Sequence, residues 1–100
     1  MFYLKVHDSG GREIVALCDK ELIGKIFREN DLKLEVNERF YKGDLINAEE
    51  ARQLLTNFSN INIVGENSIK ICRELEIVND DSIMIVEGIS YAMVLSIWKI

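Results

Sequence analysis

The sequence lacks an apolar stretch long enough to cross a membrane, which takes about 18–20 uninterrupted apolar residues. Its longest apolar-rich stretch, residues 83–100, is interrupted by residues such as Glu87, Ser90 and Tyr91 and alternates as a β-strand does. Residues 1–7 also lack the basic region and the long apolar core of a secretory signal. We therefore expect a cytoplasmic protein without membrane contacts.

Cysteines are too few and too far apart for the commoner metal and redox sites. The two cysteines, Cys18 and Cys72, belong to no C-x-x-C pair, so neither a zinc site nor a thioredoxin-like motif is predicted. Both have apolar neighbours, and the cytoplasm disfavours a disulfide. We expect two reduced, buried thiols that pack as small hydrophobic side chains, and no metal or cofactor.

Histidine occurs once, as His7, which leaves a single residue for any histidine-dependent catalytic scheme. Asp8 follows it, and a His–carboxylate pair can do acid–base work near neutral pH. Adjacent strand residues face opposite sides of a sheet, so Asp8 can orient His7 only if the turn redirects it. No serine lies in a G-x-S-x-G nucleophile elbow. No catalytic residue is predicted, and His7 is either a strand-end residue or a binding residue.

Positive charge is also in short supply. Twelve Lys and Arg against 17 Asp and Glu give a formal net charge of −5, which argues against binding nucleic acid through bulk positive charge. The net charge does not exclude a local basic patch. The apolar fraction of 48% indicates a packed core rather than disorder, and 100 residues suit a single domain, residues 1–100.

Alternating apolar and polar residues predict the strands. Phe2, Leu4 and Val6 begin a hairpin that turns at Ser9-Gly10-Gly11 and returns through residues 13–18. The other predicted strands cover residues 32–36 and 61–64 and a closing hairpin, residues 83–86 and 91–98 around Glu87-Gly88. Residues 40–44 are predicted as a loop or a short extra strand.

Three helices are predicted between these strands. Asp19 caps a short first helix with Leu22, Ile23, Ile26 and Phe27 at helical spacing. Asn47 and Glu50 form a capping box for a helix over residues 48–58, and a third helix covers residues 67–76. The order β-β-α-β-α-β-α-β-β favours an α+β fold, with a mixed sheet of about five to six strands covered by three helices.

Several segments match a known family in order along almost the whole chain. They are Leu4-Lys5-Val6-His7, residues 14–19 leading into residues 21–25, Phe40-Tyr41-Lys42-Gly43, Glu49-Glu50-Ala51 and residues 62–66. On these residues the chain resembles an uncharacterised archaeal family, the domain of unknown function four-two-four. The resemblance implies a cytoplasmic archaeal origin and, more weakly, a link to RNA or translation. It implies no catalytic mechanism.

The chain departs from that family's pattern in one place. The family is expected to carry a Pro-His-Ala-Gln-like sequence after the late glycine, where this chain has Gly88-Ile89-Ser90-Tyr91-Ala92-Met93. If that histidine were catalytic in relatives, this chain would lack it.

A first candidate site is the strand-to-helix junction at Gly65, Glu66, Asn67 and Ser68. A helix start leaves free N–H groups that can receive a phosphate or a carboxylate. Glu66 would repel such an anion, and it complements the helix dipole without any ligand. Ordinary helix capping and an anion site both remain open.

A second candidate site is the segment Arg39, Phe40, Tyr41, Lys42 and Gly43, which combines two cations with two aromatics. Aromatic stacking and phosphate attraction hold single-stranded nucleic acid in many proteins. The alternative is that Phe40 fills the core, Tyr41 covers its edge and Lys42 is solvated.

Both faces of the last predicted strand are largely apolar. Tyr91, Met93, Leu95 and Ile97 share one face, and Ala92, Val94, Ser96 and Trp98 share the other. Either both are covered within the chain, or one forms a subunit interface.

Three functions follow from these sites. The first is a non-enzymatic binding or adaptor module, associated with RNA or a translation assembly. The second is a small-molecule enzyme or sensor that binds an anion at Gly65–Ser68, with His7 or Glu66 as acid or base. The third is a structural homodimer joined through the C-terminal strand.

Overall fold

A computed structural model describes residues 1–95 of the chain. Its strands are β1 (Phe2–Ser9), β2 (Arg12–Asp19), β3 (Ile26–Glu29), β4 (Leu32–Glu35), β5 (Asp44–Ile46), β6 (Ile61–Val64), β7 (Met84–Val86) and β8 (Ile89–Val94). Its helices are α1 (Glu38–Tyr41), α2 (Ala48–Leu55) and α3 (Glu66–Glu74), with 3₁₀ turns at Lys20–Leu22 and Asp80–Ser82.

Six strands form one mixed sheet in the order β5-β1-β2-β6-β8-β7, while β3 and β4 form a separate hairpin. β2 runs parallel to β6, and the other neighbouring pairs of the six-stranded sheet are antiparallel. The predicted α+β class, with a mixed sheet of about six strands and three helices, is confirmed.

Each face of the sheet has its own core. On the face covered by α2 and α3, here called the helical face, Leu17 and Ile63 pack with Leu55 and Cys72. On the opposite face, here called the hairpin face, the β3–β4 hairpin and α1 cover Cys18 and Val64. Residues 15–18 of β2 are all fully buried, because alternate side chains enter the two cores. Its nearly all-apolar sequence predicted this burial on both faces.

The predicted first helix is wrong. Asp19 ends β2, one 3₁₀ turn follows it, and Ile26 and Phe27 lie in β3. Gly24 has a φ of +84°, which ends any helix, and its N–H donates to the Val36 carbonyl at 2.7 Å. The apolar spacing was misleading because a 3₁₀ turn followed by an extended strand also directs Leu22, Ile23 and Phe27 into the hairpin-face core.

The later elements follow the sequence more closely. Residues 40–44 contain the end of α1 and the start of β5 rather than a loop alone. The capping box of Asn47 and Glu50 is present at the start of α2. The closing hairpin is confirmed through β7 and β8, and the predicted strand residues beyond Leu95, Trp98 included, lie outside the described residues.

Two adjacent leucines of α2 test the core assignment. Leu55 is fully buried, whereas 38% of the Leu54 surface is exposed. Leu55→Ala is expected to lower the free energy of unfolding by about 2–5 kcal/mol through a cavity on the helical face. Leu54→Ala should cost no more than about 1 kcal/mol. Urea denaturation measures both, and equal losses would contradict the arrangement of α2.

Candidate functional site

The start of α3 holds a carboxylate that belongs to the chain itself. Asp19, at the end of β2, accepts hydrogen bonds at Oδ1 from the Ser68 N–H (2.8 Å) and the Ser68 hydroxyl (2.6 Å). Its Oδ2 accepts from the backbone N–H and the side-chain amide of Asn67, at 3.1 and 3.2 Å. These are the helix-terminal donors on which an anion site would depend.

Gly65 makes room for this carboxylate. Its φ of 114° and ψ of 147° are conformations that only glycine adopts readily. A Cβ at this position would lie 2.6 Å from Asp19 Oδ1, well inside van der Waals contact. The neighbouring Glu66 is exposed, and its carboxylate has no hydrogen bond or ion pair within residues 1–95. The structure therefore supports the capping interpretation of this junction, with Asp19 as the cap, and an external anion would have to displace Asp19.

The second candidate segment is held against β1 by two β1 side chains. Lys5 Nζ donates to the Arg39 carbonyl at 2.6 Å, and His7 Nε2 lies 2.8 Å from the Phe40 carbonyl. The His7 and Phe40 rings stack with centroids 4.4 Å apart and an interplanar angle of 12°. His7 thus binds the last turn of α1, whereas Oδ1 of its neighbour Asp8 accepts from the Gly11 N–H.

Tyr41 is unavailable as a stacking platform, because it lies in the hairpin-face core with 8% of its surface exposed. Burial, and secondarily the nearby Cys18, raise the pKa of its phenol to about 12. Arg39 is exposed, and exposed Lys42 lies 4.0 Å from Glu38. Of the four residues His7, Arg39, Tyr41 and Lys42, only the two cations are exposed, and Lys42 is paired with Glu38.

The sequence located the apolar end of the sheet only in part, through Met93 and Leu95 of the last predicted strand. Met84, Ile85, Met93 and Leu95, here called the apolar edge, have 50–62% of their surfaces exposed. β7 is the terminal strand and pairs with Ile89–Tyr91 of β8, while the register of β8 with β6 covers Tyr91–Val94. β8 is therefore not the edge strand of the sheet. A dimer at this end of the sheet would have to pair through β7, or through the residues of β8 after Tyr91, which β7 does not cover.

Other functional features are limited within the part of the chain that the structure describes. No group of three or more His, Cys, Asp or Glu side chains there could hold a metal ion. None of the helices in residues 1–95 has the length and hydropathy needed to cross a membrane.

Substitution of Asp19 tests the capping network. Asp19→Asn keeps the side-chain shape but turns one acceptor into a donor that faces the donors of Asn67 or Ser68. The free energy of unfolding should fall by about 1.5–3 kcal/mol, as for buried hydrogen bonds to a charged group. Asp8→Asn, at an exposed carboxylate that accepts one backbone N–H, should cost about 0.5 kcal/mol or less. Equal stability of the two variants in urea would argue against the network.

The thiols give a second test. Cys18 and Cys72 are buried and free, as predicted, and they lie in different cores. Burial raises the pKa of both from 9.0 to about 12, and the charge of Asp19 contributes at Cys18. Since the thiolate is the reactive form, a disulfide reagent at pH 8 should label neither cysteine in native protein and both in urea.

These raised thiol pKa values also determine how the stability of the fold changes with pH. The neutral thiols stabilise the fold fully below pH 9, and this contribution is lost as the pH rises from 9 towards 12. Rapid labelling of one thiol in native protein at pH 8 would contradict the burial.

Comparison with known proteins agrees with this fold. A family model described as "Protein of unknown function (DUF424)" matches residues 7–97. A crystal structure of an uncharacterized conserved protein from Methanopyrus kandleri is similar, with a TM-score of 0.76 and 22% sequence identity over 99% of this chain and 96% of that chain. None of the curated proteins compared matches. At this identity the likeness concerns the fold, whereas the family model covers most of the sequence, and the chain therefore belongs to this family of unknown function.

Proposed function

We propose that the protein is a non-enzymatic binding module whose partner is another protein, and that the apolar edge is its contact surface. The observation that carries the proposal is the exposure of four large apolar side chains, Met84, Ile85, Met93 and Leu95, at one end of the sheet. Scattered apolar residues are common on protein surfaces, but Met84 and Met93 share one face of two neighbouring strands, and such a grouping indicates a contact site. Methionine suits such a site because its flexible side chain adapts to a partner.

The backbone at this end supports a specific mode of binding. β7 ends the sheet order, so its outer N–H and C=O groups face away from β8 and have no partner strand within the described residues. An extended segment can add to such an edge through main-chain hydrogen bonds. By the strand register, Met84 and Met93 lie on the hairpin face and Ile85 on the helical face, so an added strand would meet apolar side chains on both faces.

Charge favours a different protein over a second copy. Asp80 and Asp81 precede β7 and Glu87 follows it, so carboxylates flank the strand at both ends. Asp80 pairs with Arg73 at 3.0 Å and Glu87 accepts from the Arg28 N–H, so part of this negative charge is engaged within the chain. Two copies of the chain would each bring a net charge of −5, which opposes self-association. A basic, partly apolar extended segment would complement the flanks. The homodimer is therefore the less favoured use of this edge.

A direct RNA contact is less well supported than a protein contact. The exposed cations Arg39 and Lys42 remain, but Tyr41 is buried and Phe40 is stacked on His7. Association with a translation assembly and a cytoplasmic location remain predictions, and the apolar edge would serve them by contacting a protein component.

Charged substitutions at the two end strands of the sheet test the proposal. Ile85→Asp changes β7, and Leu45→Asp, at a residue with 46% of its surface exposed, is the matched control in β5. Purified variants would be compared in partner recovery from native lysate, followed by titration of the recovered protein. Ile85→Asp should weaken binding at least about tenfold, because an apolar contact is replaced by a charge, and Leu45→Asp should bind normally.

Light scattering and RNA titration separate the remaining outcomes. A monomer whose protein partner is lost only with Ile85→Asp would support the proposal. A concentration-dependent dimer that Ile85→Asp dissociates would replace it with the homodimer. Recovery of RNA alone, or a partner that binds both variants equally, would overturn it.

A further inference from the structure

A pocket of about 220 Å³ lies on the helical side of the molecule, between the start of β1 and helices α2 and α3. Phe2 and Ile71 form part of its apolar lining, and both are almost completely buried. This volume is below the ~300–1,000 Å³ of sites for drug-sized ligands and therefore suits a small metabolite. The pocket shares no residue with the apolar edge.

Of the charged side chains that line this pocket, two form an ion pair with each other and two do not. Arg52 Nε donates to Glu74 Oε2 at 3.2 Å, so these two partly neutralise each other. Lys70 and Glu21 line the same pocket, and neither has an ion pair or hydrogen bond through its charged group within residues 1–95. Their charged groups do not approach within the 4.0 Å of an ion pair, which leaves one cation and one anion free to bind separate groups of a ligand.

Asn67 adds an oriented polar group. Its side-chain amide donates to Asp19 Oδ2 at 3.2 Å, and this bond fixes the amide so that Oδ1 remains as an acceptor. The pocket therefore combines acceptors, Glu21 and Asn67, with donors, Lys70 and the outer guanidinium nitrogens of Arg52. A small ligand that carries both an ammonium and a carboxylate would match this pocket, because the acceptors can bind the ammonium and the donors can bind the carboxylate.

We propose that this pocket binds a free α-amino acid with a short side chain. Its carboxylate is held by Lys70 and Arg52, its ammonium by Glu21 and Asn67 Oδ1, and its side chain lies against Phe2 and Ile71. A simple anion fits less well, because Glu21 and Glu74 repel it, and a simple amine leaves Lys70 unpaired.

Isothermal titration with L-alanine, L-serine and glycine tests this assignment, with propionate and alaninamide as analogues that lack one charge. The amino acids should bind, and each analogue should bind at least about tenfold more weakly because it loses a charge-assisted hydrogen bond. A response to propionate or alaninamide equal to that of alanine would overturn the proposal. So would the absence of heat with all three amino acids at millimolar concentration.

Variants then assign the groups. Lys70→Gln and Glu21→Gln should each raise the dissociation constant of the amino acid at least about tenfold, while Lys25→Gln, outside the pocket, should leave it unchanged. Since both altered residues are exposed, the variants should fold as the wild type does, which thermal unfolding checks. Unchanged affinity in Lys70→Gln would overturn the assignment, and none of these results depends on the apolar edge.

Discussion

The rest of the fold depends on where the Asp19 carboxylate lies. The parallel pairing of β2 with β6 places Cys18 beside Val64, so the next residues along the two strands, Asp19 and Gly65, also become neighbours. Asp19 then accepts four hydrogen bonds from the first turn of α3. A buried carboxylate is costly unless it is fully hydrogen-bonded, so this arrangement fixes the position of α3 on the helical face.

Local sequence patterns predicted the elements correctly wherever an element is determined by residues close to it in the chain. The first hairpin, the capping box of α2 and the strand before Gly65 all fall at their predicted places. The failures involve distant partners. The segment after Asp19 makes one 3₁₀ turn and then becomes extended, since Gly24 pairs with Val36. Asp19 caps a helix that begins 47 residues later rather than the next turn. Neither contact can be predicted from the spacing of residues within a short stretch of the sequence.

The candidate site was predicted only in part, for a related reason. Aromatic and basic residues together in one loop are typical of nucleic-acid binding, but the structure uses them to hold α1. That helix has four residues, too few to be stable alone, so it is held from β1: Lys5 and His7 bind its last carbonyls, and of the segment's own side chains Phe40 contributes by stacking on His7. Gly43 lets the chain pass directly over β1, where a Cβ would collide with the Leu4 carbonyl. The resemblance to the family therefore rests partly on residues that make structural contacts.

The proposed contact surface, the apolar edge, arises from the strand order rather than from a sequence motif. The apolar pattern of β7 and β8 is the same whether these strands lie inside a sheet or at its end, and only the order β6-β8-β7 exposes Met84 and Ile85. Because β7 has three residues with carboxylates on both sides, it can pair with only a short segment of a partner. Main-chain hydrogen bonds over so short a strand contribute modestly, so specificity at this edge must come from the side chains on its two faces.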